Sequence, residues 1–274
     1  MNIDHFLKIG KSHKICEDYI ISGHKPIPHV ILSDGCSSSP NTDLGARILA
    51  HLAKQFIISS HSTSKLFDHD WLGDWVIENS KLIIDKMGLD YSCLDATLIV
   101  LFSIYDYVYV YMYGDGVVIS FNSEKDVSFS RVVYTDSAPY YLTYRIDKER
   151  DILYDSYDMT MSVEKISINN QEISKELNHF KKDDIPNYKK PFFDEFKVSE
   201  HKGILIASDG IESFIDKYGQ PHNFGEVLTQ IVSFKNIKGE FIKRRMGSRK
   251  GLLNTFESRD ITHYDDISIG GFIF

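Results

Sequence analysis

No two cysteines of this 274-residue chain are closely spaced: Cys16, Cys36 and Cys93 stand apart, each in or beside an apolar segment. That excludes a disulfide framework and a thiolate zinc site, and it fits a reducing compartment. A basic excess is missing as well. With 31 Lys and Arg against 39 Asp and Glu, the formal charge is −8 and the pI about 5.8, the wrong sign for a surface devoted to nucleic-acid phosphates. No apolar run approaches the roughly 20 residues of a membrane span, and Met1-Asn2-Ile3-Asp4-His5 lacks the basic start and apolar core of a secretion signal. A cytoplasmic chain with no nucleic-acid or membrane partner is expected. Repeats, linkers and low-complexity tracts are absent, so residues 1–274 are read as one domain, and no apolar surface stripe is left over, which points to a monomer. The eleven histidines show no zinc-ligand spacing.

What the chain has instead is a repeated signature. Three apolar runs end in Asp-Gly: Val30 to Gly35, Val110 to Gly116, and Ile204 to Gly210. Each is short and rich in β-branched or aromatic residues, so each reads as a buried strand with a carboxylate at its end. Asp-Gly alone is a common turn dipeptide. Two further acidic pairs, Glu17-Asp18 and Asp265-Asp266, flank strand-like runs of their own, and five such places call for a shared explanation.

Between these points the pattern predicts strands over 3–9, 18–22 and 29–33, then two amphipathic helices. The first spans 42–59, with Leu44, Ile48, Leu49, Leu52 and Phe56 at helical spacing. The second spans about 70–87, burying Leu72, Trp75, Val76, Ile83 and Met87 and stopping at Gly88. Runs 96–102 and 107–113, joined by a short link, predict antiparallel pairing rather than a parallel nucleotide-binding sheet. Residues 117–166 read as strands around an irregular aromatic stretch, Ala138 to Tyr144, and 167–200 as a polar, Lys-rich segment. A strand at 204–207, a short helix from 211, helices over 224–234 and 240–256 and a closing strand at 267–274 complete the reading.

Carboxylates gathered at strand ends form an all-oxygen site, which suits Mg²⁺ or Mn²⁺ rather than zinc. Two such ions roughly 3.5–4 Å apart can activate a shared water and clamp a phosphoryl group during in-line attack. The ordered series Glu17-Asp18, Ser33-Asp34-Gly35, Asp95-Ala96-Thr97, Gly114-Asp115-Gly116, Ala207-Ser208-Asp209-Gly210 and Asp265-Asp266-Ile267-Ser268 resembles the type 2C metal-dependent serine/threonine protein phosphatases over nearly the whole chain.

That resemblance implies an α+β fold, an α-β-β-α sandwich of two antiparallel sheets flanked by helices, with two Mg²⁺ or Mn²⁺ ions at one end. It implies hydrolysis of phosphoserine and phosphothreonine in phosphoprotein substrates by a metal-activated water, with Asp34, Asp209 and Asp265 central to catalysis. Asp34 would bridge both ions; the Gly35 carbonyl, Glu17 and Asp18 would serve the second, and Asp209 and Asp265 the first. Asp115 matches a residue that helps hold a weak third ion, whose usual acidic partner is Ser213 here. Where many members carry a phosphate-binding Arg this chain has His13 with Lys14 beside it, and Cys36 stands where some carry a His after the metal-binding Asp-Gly. His and Lys supply charge without the bidentate fork of Arg. Two other readings stay open: a catalytically impaired binding or regulatory protein of the same fold, and a phosphohydrolase of small phosphoesters. The Ser37 to Ser39 loop reads as a turn, and the basic stretch 243–250 as a solvated helix face.

Overall fold

The continuous apolar runs arise because the strands are covered on both faces. In Val30-Ile31-Leu32, Ile31 joins one apolar cluster while Val30 and Leu32 join another, as the period of two requires. Leu98, Val100 and Phe102 alternate with Ile99 and Leu101 in the same way. On the opposite sheet, Leu205 and Ala207 alternate with Ile204 and Ile206.

The computed structural model describes residues 1–123, 126–169, 172–180 and 189–274. In chain order these form β1 (Asn2–Lys8), β2 (Tyr19–Gly23), β3 (His29–Ser33), α1 (Thr42–Ser60), α2 (His69–Met87), β4 (Leu98–Ile104), β5 (Tyr107–Tyr113), β6 (Gly116–Ser123), β7 (Asp126–Tyr134), α3 (Lys148–Ser156), β8 (Met161–Asn169), β9 (Glu172–Phe180), β10 (Phe192–Lys197), β11 (Gly203–Ala207), β12 (Phe214–Ile215), α4 (Phe224–Val232), α5 (Phe241–Gly247), α6 (Leu252–Glu257), β13 (Thr262–His263) and β14 (Ile267–Ile273). One antiparallel sheet runs β1-β14-β11-β6-β7-β8-β9 and the other β10-β5-β4-β3-β2, with β12 and β13 forming a small separate pair.

Three apolar layers hold this together. Helices α1 and α2 close over the five-stranded sheet through Leu49, Ala53, Phe56, Val76 and Ile84. Helices α4 to α6 close over the seven-stranded sheet through Val227, Ile231, Met246 and Phe256. Val30, Leu32, Ile99, Val110, Val118, Ile206 and Phe272 fill the space between the sheets. Each such side chain contributes about 1.5–3 kcal/mol on full burial. The result is the α-β-β-α sandwich expected from the resemblance.

Local departures have local causes. On α2 the covered stripe is Leu72, Val76, Ile77, Ser80 and Ile84; Met87 is exposed and Ile83 only half-buried, a shift of one residue from the expected face. Trp75 packs on Phe56 at 5.6 Å, and Gly88 ends the helix in the left-handed region at φ 66°. The helix expected from 211 is a single 3₁₀ turn over Asp209–Glu212 followed by β12, because Phe214 and Ile215 pair with His263 and Thr262. The helix expected over 240–256 is two, α5 and α6, parted at Ser248 to Gly251. Helix α3 falls inside the stretch read as strands; it buries only Tyr154 and so carries no helical stripe to read. The polar segment 167–200 holds β9 and β10, and its residues 170–171 and 181–188 lie outside the described residues.

Candidate active site

Five chain segments deliver acidic groups to one end of the sandwich. Glu17 and Asp18 precede β2, Asp34 and Gly35 follow β3, Asp209 follows β11, and Asp265 and Asp266 precede β14. Asp115 sits in the turn that carries the chain from β5 in one sheet to β6 in the other. Two antiparallel sheets therefore present their acidic ends to a shared cleft. Its cavity of about 150 Å³ is lined by His13, Asp34, Gly35, Cys36, Ser37, Thr97, Asp115, Ser137, Pro139, Tyr141, Asp209 and Asp265.

The backbone around these carboxylates is tightly fixed. Thr97 holds Asp34 from both sides: its N–H donates to the Asp34 carbonyl at 2.8 Å and its Oγ1 accepts from the Asp34 N–H at 3.2 Å. The Glu17 side chain accepts from Thr42 Oγ1 at 3.1 Å. Asp18 is buried and accepts from Ser208 Oγ at 2.8 Å, while its second oxygen, Oδ1, has no hydrogen-bond partner. Gly210 sits where a Cβ would come within 1.8 Å of the Asp266 carbonyl, so only glycine lets the two acidic turns meet. Asp266 itself is a brace. Its carboxylate accepts from Gly10 N at 2.7 Å and from Glu17 N at 2.6 Å, joining the two ends of the chain beneath the site.

Burial and mutual repulsion set the electrostatics. Asp34 is pushed well above the usual carboxylate range by burial and by the charges of Asp18, Asp209 and Asp115. Asp18 is raised chiefly by burial, Asp115 by burial and the charges of Asp209 and Asp265. Asp209 shifts the same way, raised by burial and by the charge of Asp265 and tempered by hydrogen bonding to Asp34 and to backbone N–H groups. Among the described residues, no three His, Cys, Asp or Glu side chains already converge as a closed set of metal ligands. A buried oxygen without a partner and repelling carboxylates nonetheless form an all-oxygen donor group that suits a hard divalent cation.

His13 is the nearest cationic candidate. Its Nε2 lies 3.4 Å from Asp265 Oδ1 and its Nδ1 3.1 Å from Asp266 Oδ2 and 3.8 Å from Glu17 Oε2. Burial alone would depress its pKa, but Asp266, Asp265 and Glu17 together raise it. Its positive charge is thus shared among three acids. Lys14 is exposed and does not line the cavity. Ser213, in place of the third-ion acid, accepts the N–H groups of Tyr264 and Asp265 at 3.2 and 3.1 Å and so shapes the Asp265 turn.

One pairing beside the cleft was not legible beforehand. The Asp95 carboxylate, 2% exposed, accepts a bidentate pair of bonds from Arg150 at 3.0 and 2.6 Å and a third from Ser39 Oγ at 2.7 Å. It ties α3 to the loop that follows Asp34, and partners 55 positions apart leave no local signal. The aromatic stretch 138–144 is both an anchor and a roof. Tyr140, Tyr144 and Tyr154 meet with centroids 5.3 Å apart, while Tyr141 lines the cavity beside Cys36.

Comparison with known proteins agrees with this fold. PppA, a key regulatory component of T6SS in Pseudomonas aeruginosa, is similar in structure at a TM-score of 0.55 with 12% identity, over 99% of this chain and 97% of that one. The serine/threonine phosphatase Stp1 from Staphylococcus aureus gives 0.53 and 12%, over 100% and 95%. The Mycobacterium tuberculosis serine/threonine phosphatase PstP/Ppp gives 0.52 and 10%, over 98% and 96%. At such identities the likeness establishes the fold. No curated protein matches the chain in sequence. Protein phosphatase 2C matches residues 9–240, a span that includes Glu17, Asp34, Asp115 and Asp209 and stops short of Asp265. The chain belongs to the protein phosphatase 2C family, the metal-dependent serine/threonine phosphatases.

Proposed function

We propose that this protein hydrolyses phosphoserine and phosphothreonine in proteins with two Mg²⁺ or Mn²⁺ ions, within a single catalytic domain over residues 1–274. The observation that carries the reading is that His13, Asp34, Gly35, Asp115, Asp209 and Asp265, drawn from five separate stretches of chain, line one cavity. Glu17, Asp18, Asp34, the Gly35 carbonyl, Asp209 and Asp265 would hold the two ions, and Asp115 would contribute to a weaker third. Bound there, the ions would supply the Lewis acidity that lowers the pKa of water and offsets charge on the phosphoryl oxygens.

The rest of the chemistry belongs to the chain. Asp34 and Asp209 repel one another and the acids around them, so the carboxylate cluster favours a cation that offsets their charge. His13 would face the substrate phosphate, with Glu17, Asp265 and Asp266 sustaining its protonated form. Tyr141 and Pro139 exclude water from the roof side of the cleft. Cysteines without disulfide partners among the described residues fit a reducing, cytoplasmic setting.

A second reading rests on His13. A histidine shared among three acids grips phosphate less firmly than a free guanidinium, which favours a catalytically impaired binding or regulatory member of the fold. One assay decides between them: phosphate release from a phosphothreonine peptide with Mn²⁺, Mg²⁺ or chelator, in the native chain and in Asp34→Asn and Asp209→Asn. Metal-dependent release that falls at least about a hundredfold in either variant is expected. Folded native protein with no release under any metal, from the phosphopeptide or from a small phosphoester assayed beside it, would leave only the regulatory reading.

A further inference from the structure

A second cavity, larger than the cleft, lies apart from it. It measures about 470 Å³ and lies between the end of β1, the β12–β13 pair and helices α5 and α6. Such a volume is typical of small-molecule sites. Its floor is apolar, formed by Phe6, Phe214, Leu253 and Ile261, with Phe214 and Ile261 buried. Its rim is charged: Lys8 and Lys11 from the β1 side and Glu257 from α6, two cations against one carboxylate, all exposed. Neither lysine forms a salt bridge among the described residues, on a chain that is otherwise acidic overall.

We propose that this cavity binds a small amphipathic carboxylate, its apolar body on Phe6, Phe214, Leu253 and Ile261 and its headgroup against Lys8 and Lys11. Its occupancy reaches the catalytic cleft through the cavity's own walls. The wall segment Ile9-Gly10-Lys11 is jammed against the turn that carries Asp265: a Cβ on Gly10 would come within 2.3 Å of both the Tyr264 oxygen and the Asp265 carbonyl carbon. Gly10 N donates to Asp266 Oδ1 at 2.7 Å, and Ser12 N donates to the Tyr264 carbonyl at 3.1 Å. The opposite wall, β13, runs directly into Tyr264 and Asp265, and His263 Nε2 lies 3.2 Å from the Ile9 carbonyl. Any ligand that parts β1 from β13 therefore moves His13 and Asp265 together. This link to activity rests on the phosphatase reading; the binding itself does not.

Calorimetric titration of the full chain with decanoate, paired with phosphate release from the phosphothreonine peptide, tests both halves. The expected result is one decanoate per chain, binding about fivefold weaker in Lys8→Glu, which keeps the fold because Lys8 is exposed. Decanol, with the same tail and no charge, should bind the native chain and Lys8→Glu alike. Leu253→Trp, which fills the cavity, should lose decanoate while keeping its melting temperature within a few degrees. In the native chain decanoate should change phosphate release, and in Leu253→Trp it should not. Absence of decanoate binding, or equal binding by all three proteins, overturns the site. Binding to an active enzyme whose phosphate release does not change overturns the coupling. A chain that binds decanoate yet releases no phosphate without it fails the phosphatase reading and leaves the site standing.

Discussion

Two interiors of this molecule obey opposite rules. Between the sheets, Val30, Leu32, Ile99, Ile206 and Phe272 are fully buried hydrocarbon, and every one gains by being there. A short distance along the same strands, Asp18, Asp34, Asp115 and Asp209 crowd together, each made harder to ionise by burial and by its neighbours. The first interior supplies the stability that the second spends. Rigid apolar strands force the carboxylates to remain where isolated chemistry would scatter them.

The contrast predicts substitutions of opposite sign. Phe272→Ala, in the layer between the sheets, should cost about 3–5 kcal/mol, read as a lower denaturation midpoint at unchanged slope. Asp18→Asn should do the reverse in chelator, gaining about 1–2 kcal/mol because a buried charge with an unpartnered oxygen is replaced by a neutral amide. The same variant should lose most of the stabilisation that Mn²⁺ gives the native chain in a thermal melt. Equal and same-sign effects from the two substitutions would erase the distinction.

The smallest effect lies at the far end of β3. His29 is buried with Nδ1 2.8 Å from the Ile27 carbonyl and Nε2 without a partner, and burial lowers its pKa below the usual 6.5. A histidine whose folded pKa is depressed is held neutral by the fold. Its contribution is intact above 6.5 and is lost as pH falls through that value toward the folded pKa, because the unfolded chain takes up the proton first. Melting temperature should fall from pH 7 to pH 5.5 in the native chain and fall less in His29→Gln. An identical slope in both would remove His29 from the account.

What could be read from the residues alone follows the same division. Strands β3, β5 and β11 and their acidic ends were legible because burial on both faces leaves an apolar run that stops at Asp-Gly. Helices α1 and α2, at 19 residues each, repeat their stripe often enough to declare a period. Helix α3 and the turn at Asp209–Glu212 are too short to do so, and their positions are set by partners elsewhere in the fold. The site divides likewise. Carboxylates at strand ends announce themselves locally, whereas Arg150 on Asp95 and Ser208 on Asp18 are pairings that exist only once the sheets have met.

The position of β14 between β1 and β11 has a consequence for the order of events during synthesis. Asp266 reaches back 256 residues to Gly10, so the brace under the cleft joins residues made far apart in time. At about 5–20 residues per second, β1 and β11 must wait many seconds for the strand that separates them. Until it arrives, Glu17 has no anchor for its N–H and Asp265 does not yet exist. A nascent chain can thus build its hydrocarbon layers around β2 to β5 while remaining chemically inert, and competence for catalysis switches on in one closing step rather than by degrees.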